Sequence, residues 1–290
     1  MDVSADVLIE RPSLIRQSKR ILFRNPFIAA GTIIIIIAVL TAVFGPMLCQ
    51  FDPIKSNMRH RLQPPNALHP FGTDGFGRDV LTRIVYAARI SLRISAIIVV
   101  ITTVLASLIG VCVSWFRWLD NPVMRIMDVL MSVPSLILAI ALMGFLGAKQ
   151  TNLVIAIVLT QLPRMTRVVR AAVIAIRENE YIEAARALGA SDFRIMFKYI
   201  YPNSLSPIVV QATFLFAHAI LVESALSFIG VGTPPPTPSW GNMLAEGREY
   251  ISVAWWLTVI PGLSIMTTVL GLNLLGDGLR DLLDPRLRGQ

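Results

Sequence analysis

The chain has 290 residues, 54% of them hydrophobic and 15% charged, with a mean hydropathy of +0.66. Soluble domains carry about 25% charged residues, so this composition excludes an ordinary soluble globular domain and favours an all-α polytopic membrane protein. The net charge of +8 does not imply nucleic acid, because the basic residues are scattered between apolar runs. An anionic lipid surface and the charge bias of cytoplasmic loops account for it.

Residues 1–27 are polar and basic, with Arg11, Arg16, Lys19, Arg20 and Arg24, and are expected to form a cytoplasmic N-terminal segment. Residues 28–48 carry no charge and contain the run Ile33 to Ile37. At about 1.5 Å per residue this stretch crosses a hydrocarbon core of about 30 Å, so it reads as a first transmembrane helix and an anchor, not a cleaved signal.

Residues 49–93 read as an outer loop. Gly72, Gly75 and Gly77 permit tight turns there, and prolines disfavour helix through Pro70. The glycines are not a phosphate loop, since no Gly-Lys-Ser/Thr follows and no strand pattern precedes. From Asp79 a helix can restart with that residue as its cap. Asp74, Arg78 and Asp79 either order the loop by capping and pairing or contact a partner protein. His60 and His69 do not by themselves make a metal site, and no metal is expected. Cys49 and Cys112 lie in or beside apolar runs and read as small hydrophobes, not a disulfide.

Residues 94–276 hold five further apolar stretches. These are Ile94–Phe116, Val129–Leu146 with a kink at Pro134, a stretch from Leu153, Ile208–Gly230 and Val253–Leu275. In the stretch from Leu153 only about ten apolar residues precede Arg164, too few to cross alone. It is expected to continue to about Ile176, with Arg164, Arg167 and Arg170 snorkelling or facing protein at the cytoplasmic edge. Six crossings put residues 177–207 on the same side as both termini, where most of the 26 Lys and Arg fall. The first outer loop departs from that bias with Lys55, Arg59, Arg61, Arg78, Arg83, Arg89 and Arg93; they form either a docking surface or headgroup anchors. Were the fourth stretch not to cross, residues 177–207 would face outward.

Glu223 lies in the fifth span, where an acid is costly unless paired or facing water. It either lines a translocation pathway or hydrogen-bonds to a neighbouring helix or subunit. His218 is about 140° round the helix from it, so the two do not form a metal pair. Pro234 to Pro236 favours a rigid polyproline segment, with Trp240, Trp255 and Trp256 suited to the outer interface. In the tail, residues 277–290, Asp277, Arg280, Asp281 and Asp284 read as a cytoplasmic end that caps and pairs locally.

Between the fourth and fifth spans, Glu183-Ala184-Ala185, then Gly189, then Pro202 follow a recognisable spacing. Physically, Ala184, Ala185, Ala187 and Leu188 offer a small apolar surface on a short helix, and Gly189 allows a sharp turn. Residues 191–201 would then form a second helix, capped by Ser191 or Asp192 and closed by Pro202. The spacing resembles the Glu-Ala-Ala loop of ABC-importer permeases, with Tyr199 and Tyr201 standing where the general pattern has Ile and Leu. Three other segments are similar to those of dipeptide, oligopeptide and nickel permeases of the DppC/OppC type: residues 69–80 (with Gly72, Thr73, Asp74, Gly77, Arg78 and Asp79), 234–241 and 273–286.

The resemblance implies a type I ABC importer permease fold with six transmembrane helices, in a bacterial inner membrane with both termini cytoplasmic. It implies a homologous second permease (DppB/OppB-like), two cytoplasmic ATPase subunits and an extracytoplasmic substrate-binding protein. No catalytic residue or directly bound cofactor is expected, since the chain has no Walker A sequence; ATP and Mg would be used by the ATPase partners. The cargo would be a peptide or a chelated nickel complex, with Glu183, Ala184, Ala185, Gly189, Tyr199, Tyr201 and Pro202 coupling to the ATPases. A different class of reading is a proton-coupled secondary transporter using Glu223 as carrier.

Overall fold

A computed structural model describes residues 26–283. The basic N-terminal residues up to Arg24, and Asp284 with the rest of the tail, lie outside the described residues. Ten helices carry the architecture: α1 (Pro26–Leu48), α2 (Val80–Trp115), α3 (Arg117–Met131), α4 (Ser135–Leu146), α5 (Gln150–Arg177), α6 (Glu180–Ala187), α7 (Asp192–Arg194), α8 (Tyr201–Ile229), α9 (Trp240–Arg248) and α10 (Trp256–Leu283). A π-helical stretch, Ile195–Ile200, joins α7 to α8 without a break. No strand occurs among the described residues.

Five helices, counting α7 through α8 as one, are long and apolar enough to cross a membrane. Successive crossings alternate, so the bundle has two ends. One, the loop end, holds residues 49–79 and 230–255. The other, the hairpin end, holds α6 and α7 as well as both limits of the described chain. The sixth crossing differs from expectation. The stretch Val129–Leu146 is not one kinked helix: α3 and α4 meet at 88° across Ser132–Pro134. Pro134 sets φ and has no N–H to give, so α4 starts afresh after it. With 12 residues, α4 is about 18 Å long and crosses only as half of a bent pair.

The second helix also differs. It begins at Val80 and runs unbroken for 36 residues, so Arg83, Arg89 and Arg93 lie on a helix and not in the loop. Asp79 caps it as expected, its side chain accepting from the Thr82 N–H at 2.7 Å. α5 runs through its arginines to Arg177; at 28 residues it spans about 42 Å.

Three apolar clusters hold the bundle. At the loop end, Val80, Ile84, Trp240, Met243, Trp256 and Leu257 pack α2 against α9 and α10. At mid-depth Ile94, Ile98, Met143, Leu153, Ile157 and Leu226 join α2, α4, α5 and α8. At the hairpin end Met127, Met165, Val169, Ile182, Ile195 and Ile200 bring α3, α5, α6 and the π stretch together. α1 packs on one side of this body against α10 and α2, with Ala42 in the loop-end cluster: a Cβ on Gly31 would stand 2.7 Å from the Gly271 carbonyl oxygen, the close approach that small residues permit in lipid. The other faces of α1 expose Ile33, Ile37, Leu40 and Phe44, suited to lipid or a neighbouring helix. Cys49 and Cys112 are free and lie at opposite ends.

Candidate functional site

Four features concentrate polar chemistry in this apolar bundle. The first is the hairpin of α6 and α7. α6 ends in a Schellman turn: Gly189 N–H donates to the Arg186 carbonyl at 3.0 Å and Ala190 N–H to that of Ala185 at 3.1 Å. Gly189 takes φ +79° with open space around it, so its backbone conformation, not crowding, calls for glycine. Ser191 caps the return helix, its hydroxyl accepting from Arg194 N–H. The hairpin is held by Ile182, fully buried, by Arg186 stacked 5.5 Å over the Trp115 ring, and by Asn203 donating to the Tyr181 hydroxyl. Glu183, Ala184 and Gly189 are exposed, and Ala185 is half-buried. Beyond them Leu188 is 88% exposed and Phe193 71%, with the Phe193 and Phe197 rings 4.5 Å apart.

Pro202 does not close the second helix. The chain passes through it into α8, because the wider π turn of Ile195–Ile200 precedes it. That turn relieves both the missing N–H and the clash with the carbonyl four residues back that Pro imposes on a regular helix. Tyr199 and Tyr201 are half-buried against the apolar cluster of the hairpin end.

The second feature is a charged brace at the loop end. Asp74 accepts from the Phe76 and Arg78 N–H groups at 2.9 Å each and from Arg78 Nε at 2.6 Å, and it also pairs with Arg83. Glu246 of α9 receives Arg78 Nη2 and Arg83 Nη1, each at 2.6 Å. His69 Nδ1 lies 2.9 Å from Asp79. Thr73 Oγ1 accepts from Gln63 N–H and donates to the His60 carbonyl, while its own carbonyl receives the Trp256 indole N–H at 3.2 Å. Gly77, at φ +70°, lies so close to the Asn57 carbonyl that a Cβ would sit 1.8 Å from its oxygen; Gly72 also has positive φ. Of the two readings for Asp74, Arg78 and Asp79, the geometry is that of ordering the loop. Two of the excess arginines, Arg78 and Arg83, are thereby used inside the fold. Of the three tryptophans at this end, Trp240 and Trp256 are buried and Trp255 is exposed, so two of them serve packing and not an interfacial belt. The Pro235–Pro236 bond is cis and lies in a turn, not in an extended polyproline segment.

Glu223 is the third feature. It is fully buried. Ser91 of α2 donates to it at 3.1 Å, Ser227 at 2.9 Å and Thr233 at 3.2 Å. Its oxygens are thus turned into the contact between α2 and α8, the setting of an acid hydrogen-bonded to a neighbouring helix.

The fourth is a groove of about 440 Å³ between α5, α8 and α10, with Gln161, Arg164, Gln211, His218 and Asn273 among its lining. Gln211 and Phe214 also line an adjoining groove of about 450 Å³ that reaches Ser206 and Arg280 towards the hairpin end. Arg280 makes no ion pair with Asp277 or Asp281 among the described residues, so the local pairing expected for the tail is replaced by an opening onto this groove.

Residues 77–289 match the family described as the inner membrane component of binding-protein-dependent transport systems. The chain belongs to that family. Residues 13–65 match separately the N-terminal transmembrane domain of oligopeptide transport permease C. The chain is 44% identical over 280 residues to a putative peptide transport system permease protein of Brucella suis, covering 97% of this chain and 94% of that one. It is 44% identical to the dipeptide transport system permease DppC of Alkalihalophilus pseudofirmus (94% and 90% covered). To the di/tripeptide transport system permease DppC of Pseudomonas aeruginosa the identity is 39%, with 98% and 96% covered. The chain is therefore a multi-pass inner-membrane permease subunit. Its main family match opens at Gly77 of the brace, so α2 to α10 form the shared body and α1 is a separately recognised addition.

Sequence reasoning did not find Glu246 as the partner of Arg78 and Arg83, nor the groove residues Gln161, Gln211 and Asn273. No local pattern joins α9 to the first loop. The one available signal for the groove was the recurrence of polar residues within apolar helices.

Proposed function

We propose that this permease is one of two homologous membrane subunits of an ATP-driven ABC importer for peptides. The observation that carries the reading is the α6–α7 hairpin. It projects from the end of the bundle on a glycine turn and exposes Leu188 and Phe193, a patch suited to seating in a groove of a soluble subunit. Two ATPase subunits would take hairpins from this chain and from its DppB/OppB-like partner, and ATP and Mg would be bound there. Glu183, Ala184, Ala185 and Gly189 present the contact helix, while Tyr199, Tyr201 and Pro202 join it to α8.

The hairpin and both termini are assigned to the cytoplasm, and the loop end to the outside. The basic residues near the N-terminus and at the hairpin end support this. An extracytoplasmic binding protein would dock on the loop end and deliver cargo. Closure of the ATPases would pull the hairpins together and tilt the crossings between outward-open and inward-open states. The relatives named above are peptide permeases, which favours a di- or oligopeptide over chelated nickel. A proton-coupled carrier built on Glu223 has less support, because that carboxylate is held by three hydroxyls away from the groove.

The test is purification with the co-encoded subunits, followed by reconstitution in vesicles with the binding protein and a labelled dipeptide. Uptake is expected only with hydrolysable ATP inside. Uptake driven by a proton gradient without ATPase subunits would refute the importer reading and support the carrier.

A further inference from the structure

We propose that Arg164 receives the C-terminal carboxylate of a peptide in transit, making the groove between α5, α8 and α10 this subunit's share of the cargo path. The inference rests on the importer reading and goes beyond it by naming a residue and the chemical group that it meets.

Of the four arginines on α5, three are spent within the fold, Arg177 on the Ser114 carbonyl. Arg170 holds Asp120 through two hydrogen bonds of 2.7 and 2.6 Å, and Arg167 pairs with Asp128 at 2.5 Å. Arg164 has no hydrogen bond or ion pair among the described residues and opens into the groove. It stands at the midpoint of the 28-residue α5. Beside Met165 of the hairpin-end cluster, an unpaired guanidinium is costly against lipid and tolerable only beside water or an anion.

The surroundings name the sign of the ligand. Gln161, Gln211, His218 and Asn273 offer neutral donors and acceptors from three helices, and no Asp or Glu lines either stretch of the groove among the described residues. A polar cleft with one sign of charge draws the opposite sign into it. The adjoining stretch leads past Gln211 to Arg280 at the hairpin end, so a carboxylate leaving Arg164 meets a second guanidinium on the way out. Neutral amides around a single cation replace part of the hydration shell without trapping the anion, as conduction requires. A planar fork of donors fits a carboxylate.

The experiment uses the complete transporter with its binding protein in vesicles. ATP-dependent uptake of a dipeptide and of its C-terminal amide is compared for wild type, Arg164→Gln and Arg164→Lys. Each variant is referred to wild type on the same cargo, which cancels the binding protein's own preference. Arg164→Gln is expected to slow the free-carboxylate peptide by about tenfold, the worth of a charge-assisted hydrogen bond, and to slow the amide much less. Arg164→Lys should recover part of the loss. Since Arg164 has no partner in the fold, neither change orphans a buried group.

Equal effects on the two cargoes, or none, would overturn the proposal. So would loss of the second permease from purified Arg164→Gln complex, which would place Arg164 in a subunit ion pair. A second readout is Arg164→Cys on a Cys49→Ser, Cys112→Ser background. A cationic water-soluble thiol reagent should restore uptake of the free peptide and a neutral one should not; absence of labelling counts against the groove being wet. Wild type importing neither cargo with ATP would instead remove the importer reading itself.

Discussion

The two ends of this bundle solve opposite problems. At the loop end the chain from Asn57 to Val80 is tied down by Asp74, Arg78, Arg83 and Glu246, with the Asp74 and Arg83 side chains almost wholly out of solvent. At the hairpin end α6 is fastened chiefly by the buried Ile182 and a few polar contacts, while its apolar tip stands in solvent. Ion pairs that are both buried and multiply bonded resist displacement, because separating them leaves uncompensated charge. A short helix held by a single buried side chain can shift at little cost. One end is built to keep its shape and the other to move as a unit against a partner.

That contrast can be broken most forcefully at Arg83. Arg83→Met leaves Asp74 and Glu246 to share Arg78 alone, and should cost about 3–5 kcal/mol of stability. The thermal unfolding midpoint of the purified complex reads it; an unchanged midpoint would mean that the brace is decoration. Next come two glycines with similar positive φ but different surroundings. Gly77→Ala faces the Asn57 carbonyl at an impossible distance, so its loss should exceed the left-handed penalty of about 1–2 kcal/mol. Gly189→Ala has open space and should show only that penalty, about 1–2 kcal/mol confined to the hairpin, with less ATPase subunit recovered on purification. Equal unfolding midpoints for the two variants would erase the difference between the ends. Smallest in stability is Leu188→Glu, within about 0.5 kcal/mol of wild type because the side chain is exposed. Yet it should remove most of the co-purifying ATPase, and full retention would take the hairpin out of the contact.

Much of the frame was legible because membrane helices announce themselves by length and apolarity. The first helix takes in the whole of the expected apolar run and ends at Leu48. Asp79 as a cap and Gly189 as a turn follow from local chemistry, and both hold. What escaped notice has non-local causes. Arg83, Arg89 and Arg93 set residues 80–93 with the outer loop and apart from the second span, although Asp79 is legible as a cap, since the acid that neutralises Arg83 from α9 stands 163 positions away. Pro202 read as a terminator because a π stretch is not visible in composition. Val129–Leu146 read as one span because hydropathy averages over the 88° corner at Pro134. The groove was illegible for a simpler reason: its polar residues come one or two to a helix, and only packing assembles them.

The π stretch before Pro202 has a mechanical meaning. A wide turn holds one residue more than an α-helical turn would, and each residue of an α-helix advances the chain by about 100°. The stretch from Ile195 to Ile200 therefore sets the phase between the projecting helix pair and the crossing that follows. Removing a single residue there would turn the Leu188 and Phe193 surface about a quarter of the way round the axis of α8 while leaving every side chain on that surface intact. The angle at which this permease presents itself to its neighbour is stored in backbone register, separately from the chemistry of the contact.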